Sequence, residues 1–359
     1  MFLKNQKTNM ELEIAEQVKI IPEILSRYLN VETNNINIDL PNCVEKIVVV
    51  ASGSSYHCAR FAIDFLEKYS KIETRAIYSS EFLIKNIIPK DKNTLYIFIT
   101  QSGETSDTLK SVERVKNEIG LPTLCITNVE NSTIWNICDY KVACCAGVEN
   151  GIAATKSFTS QMLCLILISL KLIEQQEQSV EIKSLKESLY KLPQIIEKAL
   201  ETRKEIKTFA KFLSKQKTIV ITAEGISYSL AKEGALKIKE TSYKNISAAI
   251  IGEFMHGHVA VLNNKATLIY ISVDGISERA INNLKKIKKD YNPAIALIGD
   301  VDNDIKPKFT MSIECENEIQ KMFANVVILQ QIALEIAKYL KCNVDNPKGL
   351  HKIVVEKLN

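Results

Sequence analysis

The chain has 359 residues, of which 46% are hydrophobic and 25% charged, and it carries a net charge of +4. That length accommodates two domains with full cores, and that composition excludes a disordered or fibrous chain. The small positive balance, with no Lys/Arg block, argues against a nucleic-acid scaffold and favours an anionic small substrate.

The opening residues Met1 to Lys7 hold no apolar core and no small-residue cleavage site, so no signal peptide is read there. A helical arm is expected from about Met10 to Tyr28. Lys46–Ala51 is predicted as a strand, followed by the turn Gly53-Ser54-Ser55-Tyr56 and a helix through Leu66. Leu95–Ile99 has the β-branched and aromatic weight of a buried strand. The hydroxyl-rich turn Thr100-Gln101-Ser102-Gly103-Glu104-Thr105 follows, and helical spacing resumes from Ser106. Strands at Thr123–Thr127 and Tyr140–Ala143 precede a long helix from near Ala154. Its most apolar run, Met162–Leu170, is too short to span a bilayer and reads as buried helix, so no membrane is expected. Nine cysteines, several within apolar runs (Cys125, Cys144, Cys145, Cys164) and none in a C-x-x-C pair, predict a reducing, cytoplasmic setting without disulfides.

A charged, glycine-free helical stretch from Gln175 to Lys217 comes next, and then the pattern restarts. Thr218–Thr222 reads as a strand and Ala223-Glu224-Gly225-Ile226-Ser227-Tyr228 as its turn. Further strands are predicted at Thr267–Ile271 and Ala294–Ile298, and a closing helix from Lys321 to Leu340. The alternation specifies an α/β protein with two doubly wound parallel-sheet domains in tandem and a C-terminal tail. The expected boundaries are 1–177 for the arm and first domain, 178–341 for the second, and 342–359 for the tail. Gly53-x-Ser55-Tyr56-x-x-Ala59 matches Gly225-x-Ser227-Tyr228-x-x-Ala231, which an internal duplication explains economically.

Doubly wound sheets bind ligands at the carboxyl ends of their strands. The Gly53 and Thr100 turns both lie at such ends, each opening a helix. Helix N-termini offer unpaired N–H groups and a positive dipole end, a geometry suited to a phosphate dianion. Ordinary N-capping uses the same residue types. Two such turns in one domain favour phosphate, whereas Ala223-Glu224-Gly225 carries a carboxylate. The first domain is therefore expected to hold the phosphate and the second to donate chemistry. Of four histidines, His256 and His258 fall in one glycine-punctuated segment, Gly252–His258, suited to proton transfer. They lack a partner set for a metal, and no metal or cofactor is expected. Lys237 and Glu240 share a helix face, where a surface ion pair is the plain alternative. The tail Val344–Glu356 keeps Pro347, Gly349 and an apolar trio, so it should pack. A lysine held there could act as an amine nucleophile or as a cation near an oxyanion.

Six ordered segments together resemble the sugar isomerase (SIS) family, most nearly the isomerase half of glutamine–fructose-6-phosphate amidotransferases. They are Ala51–Tyr56, Gln101–Leu109, Gly147–Lys156, Glu233–Glu240, Gly252–Gly257 and Val344–Glu356. The resemblance implies that Ser54, Ser55, Gln101, Ser102 and Thr105 line a sugar-phosphate site, with Thr100 and the backbone from Ile152 to Ala154. It assigns proton shuttling between C1 and C2 to Glu240, with Lys237 nearby. It assigns ring opening to His256, contributed by the partner subunit of a homodimer. Lys352 resembles the residue that engages the carbonyl carbon as a Schiff base. Thr100, Ala154 and His258 depart from the family's usual serine, hydroxyl-bearing residue and proline. Residue 2 is Phe2 and no glutaminase domain fits, so ammonia from glutamine is not expected in cis. The implied reaction is deamination of glucosamine-6-phosphate to fructose-6-phosphate and ammonia. The alternatives are a deglycase of 6-phosphorylated Amadori adducts such as fructoselysine-6-phosphate, a bare aldose–ketose isomerase, or a non-catalytic sugar-phosphate sensor.

Overall fold

The apolar runs pair into two five-stranded parallel sheets that share one strand order. A computed structural model describes residues 7–70, 72–176 and 179–352. The first sheet is built along the order α1 (Asn9–Tyr28), β1 (Lys46–Ala51), α2 (Gly53–Tyr69), β2 (Glu73–Tyr78), α3 (Ser79–Ile84), β3 (Thr94–Thr100), α4 (Ser106–Glu118), β4 (Thr123–Thr127), α5 (Thr133–Ile137), β5 (Tyr140–Ala143) and α6 (Lys156–Gln176). Three helices follow, α7 (Val180–Leu189), α8 (Leu192–Glu201) and α9 (Arg203–Ser214). The second sheet runs through β6 (Ile219–Ala223), α10 (Ser227–Ser242), β7 (Ile246–Ile250), α11 (Ile251–Phe254), β8 (Thr267–Ile271), α12 (Glu278–Tyr291), β9 (Ala294–Ile298), β10 (Phe309–Met311) and α13 (Glu318–Tyr339).

The orders are β2-β1-β3-β4-β5 and β10-β9-β8-β6-β7. Numbered within each half, both read second-first-third-fourth-fifth, a doubly wound order that reverses direction beside its first strand. Central strands are buried on both faces, which is why they read as unbroken apolar runs. Val48, Val50, Tyr96, Phe98 and Cys125 meet Phe82, Val112 and Val115 on one face of the first sheet. Val220, Leu268, Tyr270 and Leu297 meet Leu284 and Ile287 in the second.

The sequence reading passed over three strands, β2, β7 and β10, and each is an edge strand. Edge strands are covered on fewer sides, so Glu73–Tyr78 and Ile246–Ile250 mix exposed and buried positions and lose the apolar signature. The stretch from Gln175 to Lys217 resolves into the end of α6 and three separate helices. At 21 residues, α6 extends beyond its apolar run and is long and apolar enough to cross a membrane by composition, yet 89% of its most apolar window is buried inside the protein. All nine cysteines are free thiols.

The chain divides into two compact units. One surrounds the second sheet and holds residues up to Val18, Asn150–Thr155 and Lys191–Leu350. The other surrounds the first sheet and holds Lys19–Glu149, Lys156–Tyr190, and His351 and Lys352 at the described end of the chain. The apolar trio of the tail, Ile353 to Val355, lies outside the described residues.

Candidate active site

In the first sheet the strand order reverses between β1 and β3, the position where doubly wound sheets open a ligand crevice. The Ser52–Ser55 turn leaves β1 there and the Gln101–Thr105 turn leaves β3, so Ser54, Ser55, Thr100, Gln101, Ser102 and Thr105 all belong to this one edge of the sheet. The N-cap residues of α2 and α4, Ser52 and Thr105, make no side-chain cap bond. Ser179 and Ser277 do cap their helices, accepting from the backbone of Ile182 and Ala280, whereas Ser132 and Thr202 stand uncapped at the heads of α5 and α9. The Thr105 hydroxyl instead bonds that of Thr100 at 2.8 Å. First-turn amides of two full-length helices, aimed with their dipoles at one crevice, are what a phosphate needs.

The rest of the turn is held rigidly. Gly103 has φ +74°, and a Cβ there would lie 2.1 Å from the Ser132 Oγ. Ser102 Oγ accepts the Glu104 amide at 3.1 Å. The Glu104 carboxylate, the one negative group in the turn, accepts from the backbone and hydroxyl of Thr133, both at 2.8 Å. Ser55 Oγ donates to Gln161 Oε1 at 2.9 Å, so a residue on α6 orients this hydroxyl.

Lys352 belongs to the same unit. Its Nζ donates to Glu149 Oε2 at 2.6 Å, and the Glu149 side chain is fully buried. Glu149 also accepts from the amide and hydroxyl of Ser157, at 3.1 and 2.6 Å. Lys352 is thus pinned by charge to the segment joining β5 to α6. Sequence reasoning quoted Glu149 within a motif but gave it no role. A lone carboxylate between glycines beside a hydroxyl-rich helix start was the available signal.

Lys237, Glu240, His256, Ile152 and Ala154 belong to the unit around the second sheet. On α10, Lys237 is 1% exposed, with its Nζ 2.5 Å from Glu240 and 3.4 Å from Glu233. A surface ion pair is therefore the wrong description. The lysine is buried between two carboxylates, each one helical turn from it, and Glu240 alone of the three reaches solvent, with 22% of its side chain exposed. Glu233 was the second residue that sequence reasoning left without a role. His256 is exposed in the turn after α11, and His258 is exposed at the start of a short 3-10 helix, His258–Val261. The His258 ring stacks on Phe254 with centroids 6.3 Å apart. Among the described residues no group of three or more His, Cys, Asp or Glu side chains is placed to hold a metal.

The second sheet has a crevice of its own between β6 and β8, with different chemistry. Glu224, just past β6, accepts the Tyr270 hydroxyl at 3.1 Å and the Ser277 amide at 3.3 Å. Asp300, past β9, accepts the Gly275 amide at 2.8 Å and pairs with Lys321. Burial pushes the Tyr270 hydroxyl well above its ordinary value, and the nearby Glu224, Asp274 and Asp300 charges push it further. Glu224 stands here directly after β6, in the place that Ser52 holds after β1 in the first sheet.

Comparison with known proteins bears on family and fold. The SIS domain family model matches residues 42–170 and 212–337. The glutamine–fructose-6-phosphate aminotransferase (isomerizing) of Aquifex aeolicus (strain VF5) is 32% identical over 345 residues, 95% of this chain and 57% of the relative. The enzyme of the same name from Clostridium tetani (strain Massachusetts / E88) is 30% identical over 353 residues, 95% of this chain and 58% of the relative. The chain thus spans somewhat over half the length of these relatives. Among solved structures, the C-terminal domain of glucosamine-fructose-6-phosphate aminotransferase from Francisella tularensis matches with a TM-score of 0.88 and 26% identity, covering 97% of this chain and all of that one. The glucosamine-6-phosphate deaminase of Thermotoga maritima matches in fold, with a TM-score of 0.77 at 21% identity over 97% of this chain and 99% of that one.

Proposed function

Because the chain belongs to the SIS domain family, we propose that it is a phosphosugar aldose–ketose isomerase that deaminates glucosamine-6-phosphate to fructose-6-phosphate and ammonia. The observation that carries this reading is the Lys237–Glu240 pair. A lysine 1% exposed is costly to bury, and it holds the one carboxylate of its cluster that reaches solvent. That arrangement suits a positioned proton carrier better than a binding-only module.

In the proposed reaction the phosphate sits on the N-termini of α2 and α4, with Ser54, Ser55, Gln101, Ser102 and Thr105 around it. His256 opens the sugar ring, and the exposure of its imidazole suits a role toward a partner subunit in a homodimer. The Lys352 ammonium polarises the carbonyl oxygen of the opened sugar, so no bond from the lysine to carbon has to form or break. Glu240 removes the C2 proton to give an enolamine and returns a proton at C1, which leaves an imine at C2. Water adds to that imine and ammonia departs, so one glucosamine-6-phosphate and one water give one fructose-6-phosphate and one ammonia. No step needs a redox cofactor, because the electrons only move from the C2–H bond to C1.

The test is to supply purified protein with glucosamine-6-phosphate and follow ammonia and fructose-6-phosphate together. Equal amounts of both are expected. Binding without turnover would overturn the deaminase reading in favour of the Amadori deglycase, which fructoselysine-6-phosphate would then reveal.

A further inference from the structure

The segment from Asn150 to Thr155 has no helix or strand of its own, yet it is fixed at four points. Glu13, on the first half of α1 and 3% exposed, accepts the Asn150 and Gly151 amides on one oxygen, at 2.5 and 3.0 Å. A Cβ on Gly151 would lie 2.8 Å from the other oxygen, so glycine there lets the carboxylate come this close. Ile152 donates its amide to the Asp345 carbonyl at 3.3 Å. Gln330 Nε2 donates to the Thr155 carbonyl at 3.1 Å, and Gln330 is itself held by Gln17 Nε2 at 2.8 Å. Glu13 and Gln17 lie one helical turn apart, so a single face of α1 serves both ends of the segment. Asp345 closes the arrangement: its carboxylate accepts the Asn9 and Met10 amides at 2.8 and 2.9 Å, and so caps α1.

We infer that Glu13 is a positioning residue for the sugar end of the substrate, acting through the backbone of Asn150 and Gly151. The inference rests on the reading proposed above and on the family resemblance, which implies that the backbone from Ile152 to Ala154 lines the sugar-phosphate site. A carboxylate accepting two amides makes charge-assisted bonds, stronger than neutral ones, and holds two successive peptide planes in one orientation. The peptide planes that follow, from Ile152 to Ala154, are set by that anchor on one side and by Thr155 on the other. On this view α1 contributes to recognition of the phosphosugar without touching it, while the phosphate itself is held by α2 and α4.

The prediction separates the two ends of the ligand. Glu13→Ala in the full chain is expected to raise the KM for glucosamine-6-phosphate at least tenfold, with kcat changed less, and to speed hydrogen exchange in the 148–155 peptide. Affinity for inorganic phosphate, measured by calorimetry, should stay within twofold. Glu13→Gln keeps an oxygen acceptor and should recover a substantial part of the KM. It also carries the test if the alanine variant does not fold. Unchanged KM and exchange in both variants would overturn the inference. So would parallel losses of phosphate and phosphosugar binding, which indicate general damage. Failure of the wild-type protein to bind glucosamine-6-phosphate would instead overturn the functional reading itself, before any variant is made.

Discussion

Glycine at 103 is demanded twice, by a φ of +74° and by the Ser132 hydroxyl 2.1 Å from where a Cβ would sit. Ser132 cannot easily retreat, since its Oγ donates to the Val129 carbonyl at 2.7 Å. Gly103→Ala should therefore cost about 2–4 kcal/mol, the sum of a left-handed backbone and an overpacked contact. Chemical denaturation would show it, and a change under about 0.5 kcal/mol, the size of an ordinary surface substitution, would refute the contact. Glu240→Gln makes the opposite prediction: turnover should fall at least about 100-fold while phosphosugar affinity changes little, because the amide cannot carry the proton. Full activity in that variant would remove Glu240 from the mechanism. At this scale the sequence showed residue types and spacings, including Lys237 and Glu240 on one face. It did not show depth. Nothing in an i,i+3 spacing distinguishes a lysine 1% exposed from one in water. Nor could spacing reveal that Lys352 meets Glu149 across 203 residues of chain.

Among whole elements, the helix starts are the most informative. Ser277 caps α12 by accepting the Ala280 amide at 3.1 Å, so Ser277→Ala should cost about 1 kcal/mol and leave phosphate affinity untouched. Thr105 heads α4 without capping it, so Thr105→Ala should cost less in stability and weaken phosphate binding several-fold. Unfolding midpoints and phosphate calorimetry on the two variants would decide, and identical profiles would mean that the α4 terminus is ordinary. Central strands and the long helices were legible because burial on both faces leaves an apolar run that no loop would carry. The edge strands β2, β7 and β10 were not. Phe309–Met311 is three residues long and only its last position is buried, too short for any alternation to register.

On the scale of the molecule, acid should weaken both units. In one, burial raises the Glu11 carboxyl, but its bonds to Lys338 and Arg203 outweigh burial and hold it below its ordinary 4.5. In the other, burial likewise raises Asp139, and Lys116 and Thr123 outweigh it, leaving it below 3.8. A carboxyl depressed in the folded state stabilises the protein above its unfolded value, and that stability is lost as pH falls towards the folded one. Thermal midpoints should therefore be level near neutrality and decline from about pH 5 downward, as ordinary carboxyl groups begin to protonate in the unfolded chain. A midpoint that holds or rises on acidification would contradict these pairings. The duplication was visible in the sequence only as a short glycine-serine-tyrosine match. The common strand order makes it a property of the entire fold.

That common order also leaves the molecule with two crevices but one chemistry for anions. In the second, Glu224 and Asp300 already spend their oxygens on Tyr270, Ser277, Gly275, Arg279 and Lys321, so acceptors stand where a dianion would need donors. On the function proposed above, the chain would therefore hold one phosphate ester despite its repeated architecture. A titration with glucosamine-6-phosphate should end at one equivalent per chain, and the copy freed from holding the ester is the one whose helix carries Glu240.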